Sequence, residues 1–151
     1  MTYSKATSQA TAEDWRALGF YYECDEIKQE WRFVGSRTGL CNLAYLFIEY
    51  SSNPYNMRNS EHQHYGPYMY LKIATASDFG IGKYGFRGSL DNFNDLGKQI
   101  NDKIMSAAQN TTVIFVPVWS GMADYRLIFD VRQEGFDPAS ADQQLDLSVD
   151  R

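Results

Sequence analysis

Cysteine, histidine and proline are scarce in this chain: two, two and four among 151 residues. With only Cys24 and Cys41, a disulfide scaffold and a four-thiolate metal site are excluded. The longest apolar runs, 43–48 and 112–119, fall well short of the roughly 20 residues that span a bilayer. No membrane-spanning helix is therefore expected. The first ten residues are polar and lack the apolar stretch of a secretory signal. A cytoplasmic protein with two free thiols is the expectation. Lysine and arginine nowhere cluster, which argues against a nucleic-acid partner. His-Glu-x-x-His, Cys-x-x-Cys and Gly-x-Ser-x-Gly are all missing, so neither a cofactor nor a catalytic set is expected.

What the chain has in quantity is aromatic rings. They make up 15% of it: eleven Tyr, nine Phe and three Trp. Tyr in excess of Phe places some rings at a wet boundary. Apolar residues are 44% and charged residues 22%, the balance of a globular chain. The net charge is −5, and it is uneven: −2 over residues 1–36, +1 over 37–110 and −4 over 111–151. Such an acidic balance suits solubility and steering toward a basic partner.

Periodicity predicts six strands and two helices. Residues 18–23 and 27–34 read as a hairpin turning at Cys24-Asp25-Glu26, with Ile27, Gln29, Trp31 and Phe33 on one face. Ser36 caps a helix over 37–50, whose stripe is Leu40, Leu43, Ala44, Phe47 and Ile48, with Cys41 on the apolar side. Residues 69–75 form a strand with Met69, Leu71 and Ile73 facing inward and Tyr68, Tyr70 and Lys72 facing outward. The glycine-rich stretch 80–88 holds a short, irregular strand. Ser89 caps a helix over 90–108 that buries Phe93, Leu96, Ile100 and Ile104. Strands over 112–119 and 125–132 complete the set.

The order β-β-α-β-β-α-β-β gives an α+β fold: a mostly antiparallel sheet of about six strands with two helices packed on one face. Residues 13–136 form the single domain. Residues 1–12 read as a flexible N-terminal tail and 137–151 as an acidic, flexible C-terminal tail. The expected core includes Phe20, Trp31, Phe33, Phe47, Phe93 and Phe129.

The most distinctive segment is Glu61-His62-Gln63-His64-Tyr65-Gly66-Pro67-Tyr68. It holds both histidines beside three tyrosines, counting Tyr70. His62 and His64 point the same way in an extended chain, a workable metal pair if a third ligand such as Glu49 or Asp78 joined it. That is the alternative reading: a metal-binding protein or metal-dependent enzyme using His62 and His64. The formal Gly-x-Gly-x-x-Gly of residues 80–85 does not open a helix directly, so it reads as a hairpin or bulged edge, not a dinucleotide site. A pairing of either cysteine with either histidine is a further, weaker possibility. A protein-binding surface is better supported, because Tyr is apolar in body and polar at its tip.

Four segments together carry a resemblance: Leu18-Gly-Phe-Tyr-Tyr-Glu23, Trp31-Arg-Phe-Val-Gly-Ser-Arg-Thr-Gly-Leu40, Ser60-Glu-His-Gln-His-Tyr-Gly-Pro-Tyr-Met-Tyr-Leu-Lys-Ile73 and Phe129-Asp-Val-Arg-Gln-Glu-Gly-Phe-Asp-Pro138. With them the chain resembles small bacterial immunity proteins of polymorphic toxin systems. The Ser-Glu-His-x-His-Tyr-Gly-Pro-Tyr block is the specific part. The resemblance implies a cytoplasmic, non-catalytic α+β protein that binds a cognate protein toxin and occludes it. The residues expected at that contact are Glu61, His62, His64, Tyr65, Tyr68 and Tyr70.

Overall fold

The computed structural model describes residues 3–117 and 124–148. Within them the class is α+β, with three α-helices and two four-stranded mixed sheets. The helices are α1 (Lys5–Leu18), α2 (Arg37–Ser52) and α3 (Leu90–Ser106). The strands are β1 (Tyr21–Asp25), β2 (Glu30–Ser36), β3 (His62–Tyr65), β4 (Leu71–Thr75), β5 (Gly80–Gly82), β6 (Gly85–Gly88), β7 (Thr111–Phe115) and β8 (Arg126–Arg132). The far end of the expected strand 112–119, and most of the link after it, lie outside the described residues.

One sheet of about six strands was the expectation; the structure corrects it to two sheets, β1-β2-β8-β7 and β3-β4-β6-β5. Two segments make the difference. The polar His62–Tyr65 stretch pairs with β4, and the glycine-rich stretch folds into its own hairpin, β5 with β6. Both sheets have the same connectivity. Two antiparallel hairpins lie side by side, joined in parallel through their second strands, β2 with β8 and β4 with β6.

The tail assignments are corrected as well. Residues 5–18 are helical, capped by Ser4 at one end and by Gly19 in the left-handed region at the other. Ser8, Thr11, Ala12 and Trp15 are its buried residues, a stripe at helical spacing made mostly of small side chains. Low hydrophobicity hid that stripe from the sequence. The C-terminal segment lies against this helix. Trp15 Nε1 donates to Asp142 at 2.9 Å, Arg16 pairs bidentately with Asp137 at 3.1 and 2.9 Å, and Asp146 N donates to Ser8 Oγ at 2.8 Å. Ala139 and Leu145 enter the core. An acidic composition indicated mobility; specific donors on α1 hold the segment instead.

The two central helices form as the caps predict. Ser36 accepts from Gly39 N, and Ser89 forms a reciprocal capping box with Asn92. Gly39 has a packing role: a Cβ there would sit 2.0 Å from the Gly19 carbonyl oxygen, so the turn after α1 crosses the start of α2 only over a glycine. Phe20, Trp31, Phe33, Phe47, Phe93 and Phe129 are all fully buried, as expected. Phe33 stacks between Trp31 and Phe129, and Phe47 of α2 meets Phe86 of β6 at 4.7 Å. The core thus runs from the first sheet through α2 to the second. Cys41 is half-buried on α2, and its thiol is pushed up by burial.

Ile27 is misplaced by the alternation rule. It lies in the β1–β2 turn and is 96% exposed. Asp25 Oδ1 accepts from the N–H groups of Ile27 and Lys28, and Gln29 takes a positive φ of 54°. That side-chain turn uses up the residues that a longer strand would have claimed.

Candidate functional site

The histidine block forms the β3–β4 hairpin, and its loop is organised around a residue from the other sheet. Tyr22 of β1 is buried. Its hydroxyl donates to the Tyr65 carbonyl and accepts from Tyr70 N at 3.2 Å and Leu71 N at 3.4 Å. Gly66, at φ 86°, lies directly against the Tyr22 ring, 2.5 Å from where a Cβ would stand. Only glycine meets both demands. The Tyr-Gly-Pro-Tyr motif is thus explained by packing at its glycine.

The six expected contact residues divide into two groups. Tyr65 and Tyr68 are half-buried and structural. Burial pushes the Tyr65 hydroxyl up to about 12. Tyr68 donates to buried Asp142, and its edge meets Trp15 with centroids 5.7 Å apart. Burial and that hydrogen bond both hold Tyr68 protonated. The second group, Glu61, His62, His64 and Tyr70, is exposed. Met69 was expected to face inward with Leu71 and Ile73. Its φ of 61° breaks the alternation, so Met69 and Tyr70 are both exposed, at 54% and 66%.

The imidazoles of His62 and His64 stand edge to face, 5.2 Å between centroids. Each Nδ1 is engaged by a backbone carbonyl at 3.0 Å, Ser60 for His62 and Met69 for His64. His64 thereby closes the hairpin loop on itself. Among the described residues no group of three His, Cys, Asp or Glu side chains that could hold a metal comes together. Glu49 and Asp78 do not complete a set with the pair.

His64, Tyr68 and Tyr70 border a groove of about 620 Å³ between the two sheets. Its first wall is β1 with Glu26, its second the segment 68–70 with Lys72, and its end the Lys83–Tyr84 pair. Trp31 lies at its floor and ties the sheets together, donating from Nε1 to the Gly82 carbonyl at 2.7 Å. The charges are separated, with Glu23 and Glu26 on the β1 side and Lys72 and Lys83 on the other. Sequence reasoning missed this second half of the site. Neither Lys83 nor Tyr84 is a residue that favours a two-residue hairpin tip, so no local signal marked them; Gly82 and Gly85, which flank them, pair with each other across the hairpin. The formal nucleotide motif is that hairpin, with Lys83 Nζ 5.0 Å from the Tyr84 ring centroid. Tyr84 is 71% exposed.

Cys24 borders the same groove as His64. Its thiol is pushed up to about 11, first by burial and then by Glu26 and Asp25. A nucleophilic cysteine needs the opposite environment, one that favours the thiolate. The groove sets exposed rings, a thioether and charges of both signs around a buried tyrosine and tryptophan.

Comparison with models of known families, with curated proteins and with solved structures gives no match for this chain. Among the described residues no helix is long and apolar enough to cross a membrane.

Proposed function

We propose that this chain is an immunity-type protein that binds a cognate bacterial toxin through the inter-sheet groove and occludes it. The observation that carries this reading is the cluster of exposed Met69, Tyr70 and Tyr84 around one concave surface. Large rings that stay wet on a protein with a well-filled core are characteristic of contact surfaces. His64 and Tyr68 of the block that suggested the resemblance border that groove. The net charge of −5 steers a basic partner toward the chain. Of the polar residues expected at the contact, His64 borders the groove, whereas Glu61 and His62 are exposed but do not line it.

Co-expression with the product of the neighbouring gene tests this. That product is expected to be toxic alone, to be tolerated with this chain and to co-purify with it. Tyr70→Ala combined with Tyr84→Ala is expected to abolish protection while leaving the fold intact, because both rings are exposed. Loss of two interface rings costs about 2 kcal/mol or more in affinity, measurable by titration calorimetry. A neighbour that is harmless alone and does not co-purify overturns the reading.

A further inference from the structure

The geometry points to a specific mode of recognition: the free edge of β1 accepts an extended segment of the partner as an added strand. This inference rests on the groove being the binding site and names how it binds. Residues 21–24 all border the groove. Successive side chains of a strand point to opposite faces. A cavity that meets four consecutive residues therefore faces the backbone edge, not one face. Tyr21 and Glu23 also border a second cavity, of about 570 Å³, on the outer face of the same sheet. Space thus reaches the edge from both faces, with Gln144 of the C-terminal segment also bordering both cavities. β1 is the end strand of its sheet, and β2 is its strand partner. Its five residues offer about 16 Å of edge at ~3.3 Å per residue.

The opposite wall is also a run of consecutive residues, 68–70, so the groove is a slot between two stretches of backbone. Charge complementarity selects the occupant. Glu23 and Glu26 border the groove on the β1 side, Glu23 also reaching Arg32 of β2 at 3.8 Å, and Lys72 and Lys83 border it on the opposite side. A strand added here sets alternate residues beside those acids and turns the others toward Met69 and Tyr70. The occupant is an extended segment of another protein in which basic residues alternate with apolar ones, held by main-chain hydrogen bonds.

The test titrates the isotope-labelled full chain with a capped eight-residue peptide alternating lysine with valine and tyrosine, followed by amide NMR and hydrogen exchange. Two control peptides are used, one with glutamate for lysine and one N-methylated at alternate amides. Expected are saturable binding, shifts in the Tyr21–Asp25 amides, exchange there slowed at least about tenfold and a loss of about tenfold or more on N-methylation. The glutamate peptide is expected not to bind. No saturable binding up to millimolar peptide overturns the inference, as does equal binding of the N-methylated form or shifts confined elsewhere. If the Tyr70→Ala/Tyr84→Ala variant loses protection but the β1 amides ignore the peptide, strand addition fails and the groove reading stands. If that variant still protects, the groove reading itself fails.

Discussion

In the sheet β1-β2-β8-β7 the two central strands have seven residues each; in β3-β4-β6-β5 they have five and four. The connectivity is otherwise identical. In the first sheet the chain between the two hairpins contains both central helices and the whole second sheet. In the second sheet it is only residues 76–79. The first sheet buries Trp31, Phe33, Leu127, Phe129 and Val131 on one face. The second contributes fewer large side chains and has an exposed edge strand, β3. One pattern of pairing thus yields a rigid platform in one place and a thin, glycine-rich ledge in another. Side-chain volume, not topology, makes the difference, and the candidate site lies where ledge meets platform.

The largest expected contrast is dynamic. Amides of β2 and β8 are expected to exchange only through global unfolding, and those of β3 through local opening, so protection differs by about two orders of magnitude or more. Equal protection would break the contrast. The core of the platform comes next. Phe33→Ala removes a fully buried ring packed on Phe20, Trp31 and Phe129, and is expected to cost about 3–5 kcal/mol in urea unfolding.

Tyr22→Phe probes the junction. It leaves the Tyr65 carbonyl and the Tyr70 and Leu71 amides without their hydroxyl partner, an expected loss of about 1–3 kcal/mol. Faster exchange should appear in residues 65–71 before it appears in β2. A uniform increase would mean that the junction is part of the platform.

Smaller effects follow at the surface. The Arg16 guanidinium, hydrogen-bonded to Asp137, holds that carboxyl below its ordinary value. Its folded-state value is the lower one, so the pair stabilises above the ordinary aspartate range and is lost as the pH falls below it. The pair is well exposed, so solvent screening keeps its worth to about 0–1 kcal/mol. Asp137→Asn should narrow the difference in urea midpoint between neutral and acid solution, and an unchanged difference would remove the pair from the account. Smallest of all is His62→Ala with His64→Ala. Both rings are exposed, and the double variant should unfold within about 0.5 kcal/mol of the parent. A larger loss would make the ledge more tightly built than its burial implies.

Much of the molecule could be read from the chain. Both serine caps, the aromatic core and the boundaries of the two central helices follow from local rules, because a hydroxyl at an N-cap and an apolar stripe act within a few residues. The candidate site was half legible. The histidine block was visible as a cluster, but Tyr22, Trp31 and Tyr84 were not, since they reach it from β1, β2 and the β5–β6 tip. The N-terminal helix escaped because its buried stripe is Ser8, Thr11 and Ala12 with a single Trp15. Small residues bury well against a neighbour that periodicity does not reveal.

By itself the sequence determined the α+β class, the caps, the core rings and the concentration of tyrosine at residues 65–70. Only the tertiary structure decided that the strands divide into two sheets and that residues 137–148 pack onto α1. It also separated structural Tyr65 and Tyr68 from exposed Tyr70. The reason is one of range. Capping and periodicity operate between near neighbours, whereas strand pairing and burial depend on contacts such as Trp15 with Asp142 and Tyr22 with Tyr65, which no local pattern encodes.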